Sequence, residues 1–66
     1  MENYKKGDLV KIKLGKQRYY KKLVKMVGKI GIIINKKDSF TTLKAYNVFI
    51  NGKIQIFLDD ELERLI

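Results

Sequence analysis

The sequence predicts an all-β fold: a single small five-stranded barrel with a long basic first loop and a short helical turn before the last strand. Three observations carry this. Leu9 to Leu14 alternates apolar and basic residues, Ile30 to Asn35 is built on isoleucines at 30, 32, 33 and 34, and two apolar stretches, Tyr46–Ile50 and Ile54–Leu58, flank Asn51-Gly52. The 66 residues form one domain, 1–66. A chain this short buries only about 60% of the surface it exposes when unfolded. It contains no Cys and no His, so neither a disulfide nor a zinc cluster can staple it. Packing, or a neighbouring chain, must supply the stability.

Each element has a local reason. In the first strand Val10, Ile12 and Leu14 share one face and Lys11 and Lys13 the other, with Gly7-Asp8 and Gly15 as turn residues at its ends. The segment Gly15 to Val27 reads as a long basic loop. Its alternative is one or two helical turns, because Tyr20, Leu23, Val24 and Val27 stand at i, i+3, i+4 and i+7 while Leu23, Lys25 and Val27 alternate like a strand. Gly28 is placed to end that loop. Ile30 to Asn35 suits a central strand, and Gly31 within it permits the sharp bend that a very small barrel needs. Asn35 to Ser39 is a polar turn. Asp59-Asp60-Glu61 begins a short helical turn, with Asp59 or Asp60 able to cap it, and Leu62 to Ile66 can add the last strand.

Parity argues for a three-residue loop in the hairpin. A two-residue Asn-Gly turn would pair Ile50 with Lys53 and Val48 with Gln55, mixing apolar and polar side chains on one face. A loop of 51–53 or 50–52 avoids this, and the latter puts Gly52 where a bulge requires positive φ. Phe49 and Phe57 then fall opposite the apolar faces. They are expected to pack at the core or rim, and would mark a protein interface if exposed together.

The Gly7-Asp8-Leu9-Val10 opening, the Gly28-Lys29-Ile30-Gly31-Ile32-Ile33 stretch, the Tyr46-to-Leu58 hairpin and the closing Asp60-Glu61-Leu62-Glu63 resemble small SH3-like proteins with a KOW-type glycine strand, such as those of tailed and especially marine phages. The resemblance spans nearly the whole chain, and Gly15 to Val27 departs from it. It implies a five-stranded SH3-like barrel and a life in a virion or in the cytoplasm of an infected host. A fold signature does not fix the activity.

The charge is unevenly placed. Residues 1–29 carry ten Lys/Arg against Glu2 and Asp8, and residues 30–66 carry five against Asp38, Asp59, Asp60, Glu61 and Glu63, so the whole net charge of +8 belongs to the first part. Such a field implies a partner with acidic groups. With no His, no Cys and one serine, Ser39, the usual nucleophile–base pairs cannot be assembled, so an enzyme is not expected. The acids at 59, 60, 61 and 63 are expected to splay around a solvated turn and hold no metal. No cofactor and no small-molecule substrate are implied. The longest apolar run is far short of the ~20 residues that cross a bilayer, and secretion by a signal peptide is not expected.

The partner-binding candidates are Lys16, Arg18, Tyr19, Lys21, Lys22 and Lys25, cations around aromatic rings. Rings among lysines can stack single-stranded bases while phosphates are neutralised. In a competing account Tyr20, Leu23 and Val27 pin the loop to the barrel and the lysines keep it soluble. Lysine, rather than the bidentate arginine fork, favours nonspecific attraction. The expected function is a non-enzymatic binding module, an accessory structural protein of a phage virion of the capsid-decoration type that docks on an acidic protein surface. The alternatives are a KOW-type nucleic-acid-binding protein and an inhibitor of an acidic host protein.

Overall fold

The computed structural model describes residues 4–16, 19–37 and 44–65. Its elements are β1 (Leu9–Ile12), α1 (Lys21–Met26), β2 (Ile30–Lys37), β3 (Ala45–Ile50), β4 (Lys53–Leu58), a 3-10 turn (Asp59–Glu61) and β5 (Leu62–Arg64). The strands form one antiparallel sheet in the order β4-β3-β2-β1-β5. The all-β class, the central position of the isoleucine-rich strand and the helical turn before the last strand are as the sequence predicts.

The sheet curls around Val10, Ile12, Ile33, Tyr46, Val48, Ile50, Phe57 and Leu62. Gly31 makes the curl possible. It lies opposite Val10, and a Cβ there would stand 2.6 Å from Val48 Cγ1 and 3.2 Å from Ile50 Cβ. The register between β2 and β3 shifts between Ile33 and Asn35, a bulge that bends the long central strand. One side of the core is closed by Tyr4. Its ring meets that of Tyr46 edge-on at 5.4 Å, its hydroxyl donates to the Leu62 carbonyl at 3.2 Å, and Arg64 lies over its face at 5.1 Å. Asp8 fixes the turn that follows. Its carboxylate accepts the Lys5 N–H at 2.9 Å and pairs with Arg64 at 3.3 Å.

Several expectations are corrected. The favoured loop over Gly15–Val27 contains the helix Lys21–Met26. Its buried residues are Leu23 and Met26, three apart, whereas Val24 and Val27 are exposed. Six residues cannot hold a helix alone; burial of those two side chains and a left-handed Gly28 (φ 89°), whose N–H donates to the Ile12 carbonyl at 2.8 Å, define it. The first strand ends at Ile12, and Leu14 is exposed. The proposed turn at Asn35–Ser39 begins late, since β2 runs to Lys37; residues 38 and 39 lie outside the described residues.

The hairpin loop has two residues, not three: Ile50 faces Lys53 and Val48 faces Gln55. Asn51 and Gly52 both take positive φ, 54° and 74°, as the tight primed turn with matching strand twist requires. The parity objection fails because β4 is an edge strand. Gln55 is only partly buried and Lys53 is exposed, so their inward parity still leads to solvent. Phe57 fills the core opposite Tyr46, while Ile54 and Ile56 point outward with Phe49. The two phenylalanines are therefore split, one inside and one outside.

The acidic turn is also not a solvated cap. Glu61 is fully buried, and its carboxylate accepts the Leu58 N–H at 2.9 Å, the capping task assigned to Asp59 or Asp60. Asp60 instead accepts the Lys16 N–H at 2.8 Å.

Gly31→Ala forces a methyl against Val48 and Ile50 and is expected to cost about 1–3 kcal/mol, read as a Tm loss of roughly 4–8 °C per kcal/mol in a domain of this size. An unchanged Tm would mean that the close strand approach is not limiting. Asp8 gives a pH test. The Lys5 N–H and then the Arg64 guanidinium hold its carboxyl below the ordinary 3.8. A carboxyl lowered on folding stabilises above its unfolded value and loses that contribution as pH falls through its folded one. Between about pH 5 and pH 2 the wild type should therefore lose more stability than Asp8→Asn, with urea titrations as the measurement.

Candidate functional site

The basic end of the molecule is built on α1. Because Leu23 and Met26 turn inward, Lys21, Lys22 and Lys25 are left exposed, with Lys21 and Lys25 one turn apart on a shared face. Tyr19, just before the helix, is 76% exposed. Tyr20 is different: it packs against the core. The amide of Asn51 reaches Met26 Sδ at 3.7 Å, so the helix is also tied to the β3–β4 turn. A shallow groove of about 390 Å³ runs between the start of α1 and the β4 edge, lined by Tyr20, Lys22, Ile54, Gln55 and Ile56.

Of the sequence-predicted contact residues, Tyr19, Lys21, Lys22 and Lys25 come together on this end. Lys16 is exposed but its backbone is anchored on Asp60, beside the acidic turn. Arg18 lies outside the described residues.

Charge is also uneven by element. Neither α1, β2, β3 nor β4 contains an Asp or Glu, yet together they carry Lys21, Lys22, Lys25, Lys36, Lys37 and Lys53. The described acids lie on other elements but among cations, since the Asp59 N–H donates to the Lys44 carbonyl at 3.0 Å and Glu63 stands opposite Lys11. Asp8 and Glu63 belong to the β1–β5 side, and Asp59 and Asp60 share a second groove of about 190 Å³ with Tyr4, Lys13 and Leu62. Among the described residues, no three His, Cys, Asp or Glu side chains converge as a metal site would require, and no helix is long and apolar enough to cross a membrane.

Sequence reasoning missed one surface. On the outward sheet face Leu9 faces Ile32, Ile32 faces Phe49, and Phe49 faces Ile54, while the Leu65 N–H donates to the Leu9 carbonyl at 3.4 Å. This is an apolar row across all five strands, and every member is exposed, from Leu65 at 38% to Ile54 at 60%. The signal was present in Ile30-Gly31-Ile32-Ile33-Ile34, where isoleucines occupy both parities, so one set had to face outward.

The two tyrosines make separable predictions. Tyr20→Ala should destabilise the domain by on the order of 1 kcal/mol or more through lost burial, whereas Tyr19→Ala should leave the chemical-denaturation midpoint within experimental error. Equal effects would contradict the assignment of one ring to the core and the other to solvent.

Set against known protein families, characterised proteins and solved structures, the chain matches none, so function is argued from these residues alone.

Proposed function

We propose that this protein is a non-enzymatic binding module that docks by its basic end on an acidic surface, as an accessory structural protein of a phage virion, of the capsid-decoration type. The observation that carries the reading is the exposed lysine cluster of α1, a helix that contains no acid. Lysines on a helix, without a paired arginine fork, suit attraction to a field of carboxylates rather than readout of a defined group. The virion as setting rests on the resemblance of the sequence to small phage barrels.

The KOW-type nucleic-acid reading keeps one specific support, the exposed Tyr19 beside Lys21, Lys22 and Lys25. It is the weaker of the two because Tyr20 is engaged with the core. A strand-binding surface draws on several rings in succession to stack successive bases.

Two measurements separate them. Mass spectrometry of purified particles should find the chain at a fixed ratio to the shell protein, and its absence from them would overturn the virion role. Titration with single- and double-stranded oligonucleotides should show no binding at about 50 mM salt, where counterion release favours association most. Binding there, weakening steeply toward about 200 mM, would transfer the conclusion to nucleic acid. In either case the triple change Lys21→Glu, Lys22→Glu, Lys25→Glu should weaken the interaction at least about tenfold without lowering Tm, since all three side chains face solvent.

A further inference from the structure

We propose that the β4 edge takes an extended acidic segment of the docking partner, seated in the groove between β4 and the start of α1 and anchored on the backbone of Ile54. This rests on the docking of the basic end proposed above, and gives the partner at that end a shape and a chemistry. β4 is the outermost strand of the sheet, so one side of its backbone has no neighbouring strand.

The hairpin register fixes which groups face that side. When two residues close an antiparallel hairpin, the pair next to the turn exchanges both of its hydrogen bonds, and bonded and unbonded pairs then alternate. Ile50–Lys53, Val48–Gln55 and Tyr46–Phe57 are therefore the bonded pairs, and the N–H and C=O of Ile54, Ile56 and Leu58 point away from β3. The far end of this edge is closed, because Glu61 accepts the Leu58 N–H at 2.9 Å and the Asp59–Glu61 turn follows. Ile56 is itself engaged. Ile54 is the open position. Its residue is 60% exposed, it lines the groove of about 390 Å³ with Tyr20 and Lys22, and no described residue bonds its outer backbone groups.

Pleat and charge select the occupant. On an added strand the residue opposite Ile54 points outward with it, and the flanking residues point to the other side with Lys53 and Gln55. Lys53 there suits a carboxylate, Lys22 stands on the facing wall of the groove, and neither α1, β3 nor β4 holds an acid to compensate them. The fitting segment alternates apolar and acidic residues, with an apolar one against Ile54. Its backbone gives an N–H to the Ile54 carbonyl and accepts the Ile54 N–H, and the flanking carboxylates meet the lysines. A nucleic-acid strand offers the charge, but a phosphodiester backbone has no N–H to give.

The test is a titration of the full, 15N-labelled chain at about 50 mM salt with an end-capped octapeptide of alternating Val and Glu. Exchange of the Ile54 amide with water should slow at least about tenfold on binding. N-methylation of the peptide's valines removes the donors opposite Ile54 and keeps every charge, and should weaken binding at least about tenfold. The double change Lys22→Glu, Lys53→Glu should weaken the unmodified peptide by a similar factor without lowering Tm, since both side chains are exposed. A methylated peptide that binds as tightly as the parent overturns the strand site and leaves attraction of carboxylates to the basic end standing. An octapeptide that does not bind, or that leaves the Ile54 amide unprotected, also overturns the strand site. The docking reading falls separately, by absence of the chain from purified particles.

Discussion

A two-residue turn at Asn51-Gly52 sets which way every residue of the last long strand points, and most of the surface chemistry follows from it. With both turn residues at positive φ, Ile50 and Lys53 close the hairpin and the pleat assigns Phe57 inward and Ile54 and Ile56 outward. One more residue in the turn would exchange these faces. The inward position goes to the larger side chain, Phe57, which stands opposite Tyr46 across the strands and fills a barrel with room for few side chains. Two isoleucines on the outside are the consequence. Ile54 aligns with Phe49, Ile32 and Leu9 because the strands keep that register, and Ile56 faces Asn47 on the same side.

The charged end arises from a similar constraint. A curled five-stranded sheet needs a plug, and α1 supplies Leu23 and Met26, so the remaining helical positions with their lysines must face water. The acids on other elements are used internally. Glu61 accepts the Leu58 N–H from a buried position and Asp60 holds the backbone of Lys16. Carboxylates engaged in this way anchor loops, and none of the described ones lies on α1, β2, β3 or β4 to neutralise the lysines there. The exposed lysines of α1 thus follow from how that end of the barrel is closed.

Much of the fold was legible in the residues. Alternation marked β1, the isoleucine run marked the central strand, and Asp59-Asp60-Glu61 marked the turn before β5. Three features were not, for physical reasons. The α1 helix has only two inward residues, Leu23 and Met26, and the stronger apparent stripe through Val24 and Val27 faces solvent, so periodicity over six residues could not identify the buried face. The hairpin register was misread because like-with-like pairing holds where the inward face is fully covered, whereas β4 lies at an edge where Gln55 and Lys53 escape to water. Glu61 was taken as solvated because composition cannot show that a backbone N–H lies within reach of its carboxylate inside the fold. Of the candidate site, the α1 lysines and Tyr19 were readable as a basic cluster, but the separation of Lys16 depended on its tether to Asp60.

The apolar row and the basic end lie on different elements, and their forces differ in kind, one salt-insensitive and short-ranged, the other screened by ions. Added salt therefore weakens docking through the α1 lysines and leaves the burial of Leu23 and Met26 that holds the helix in place untouched.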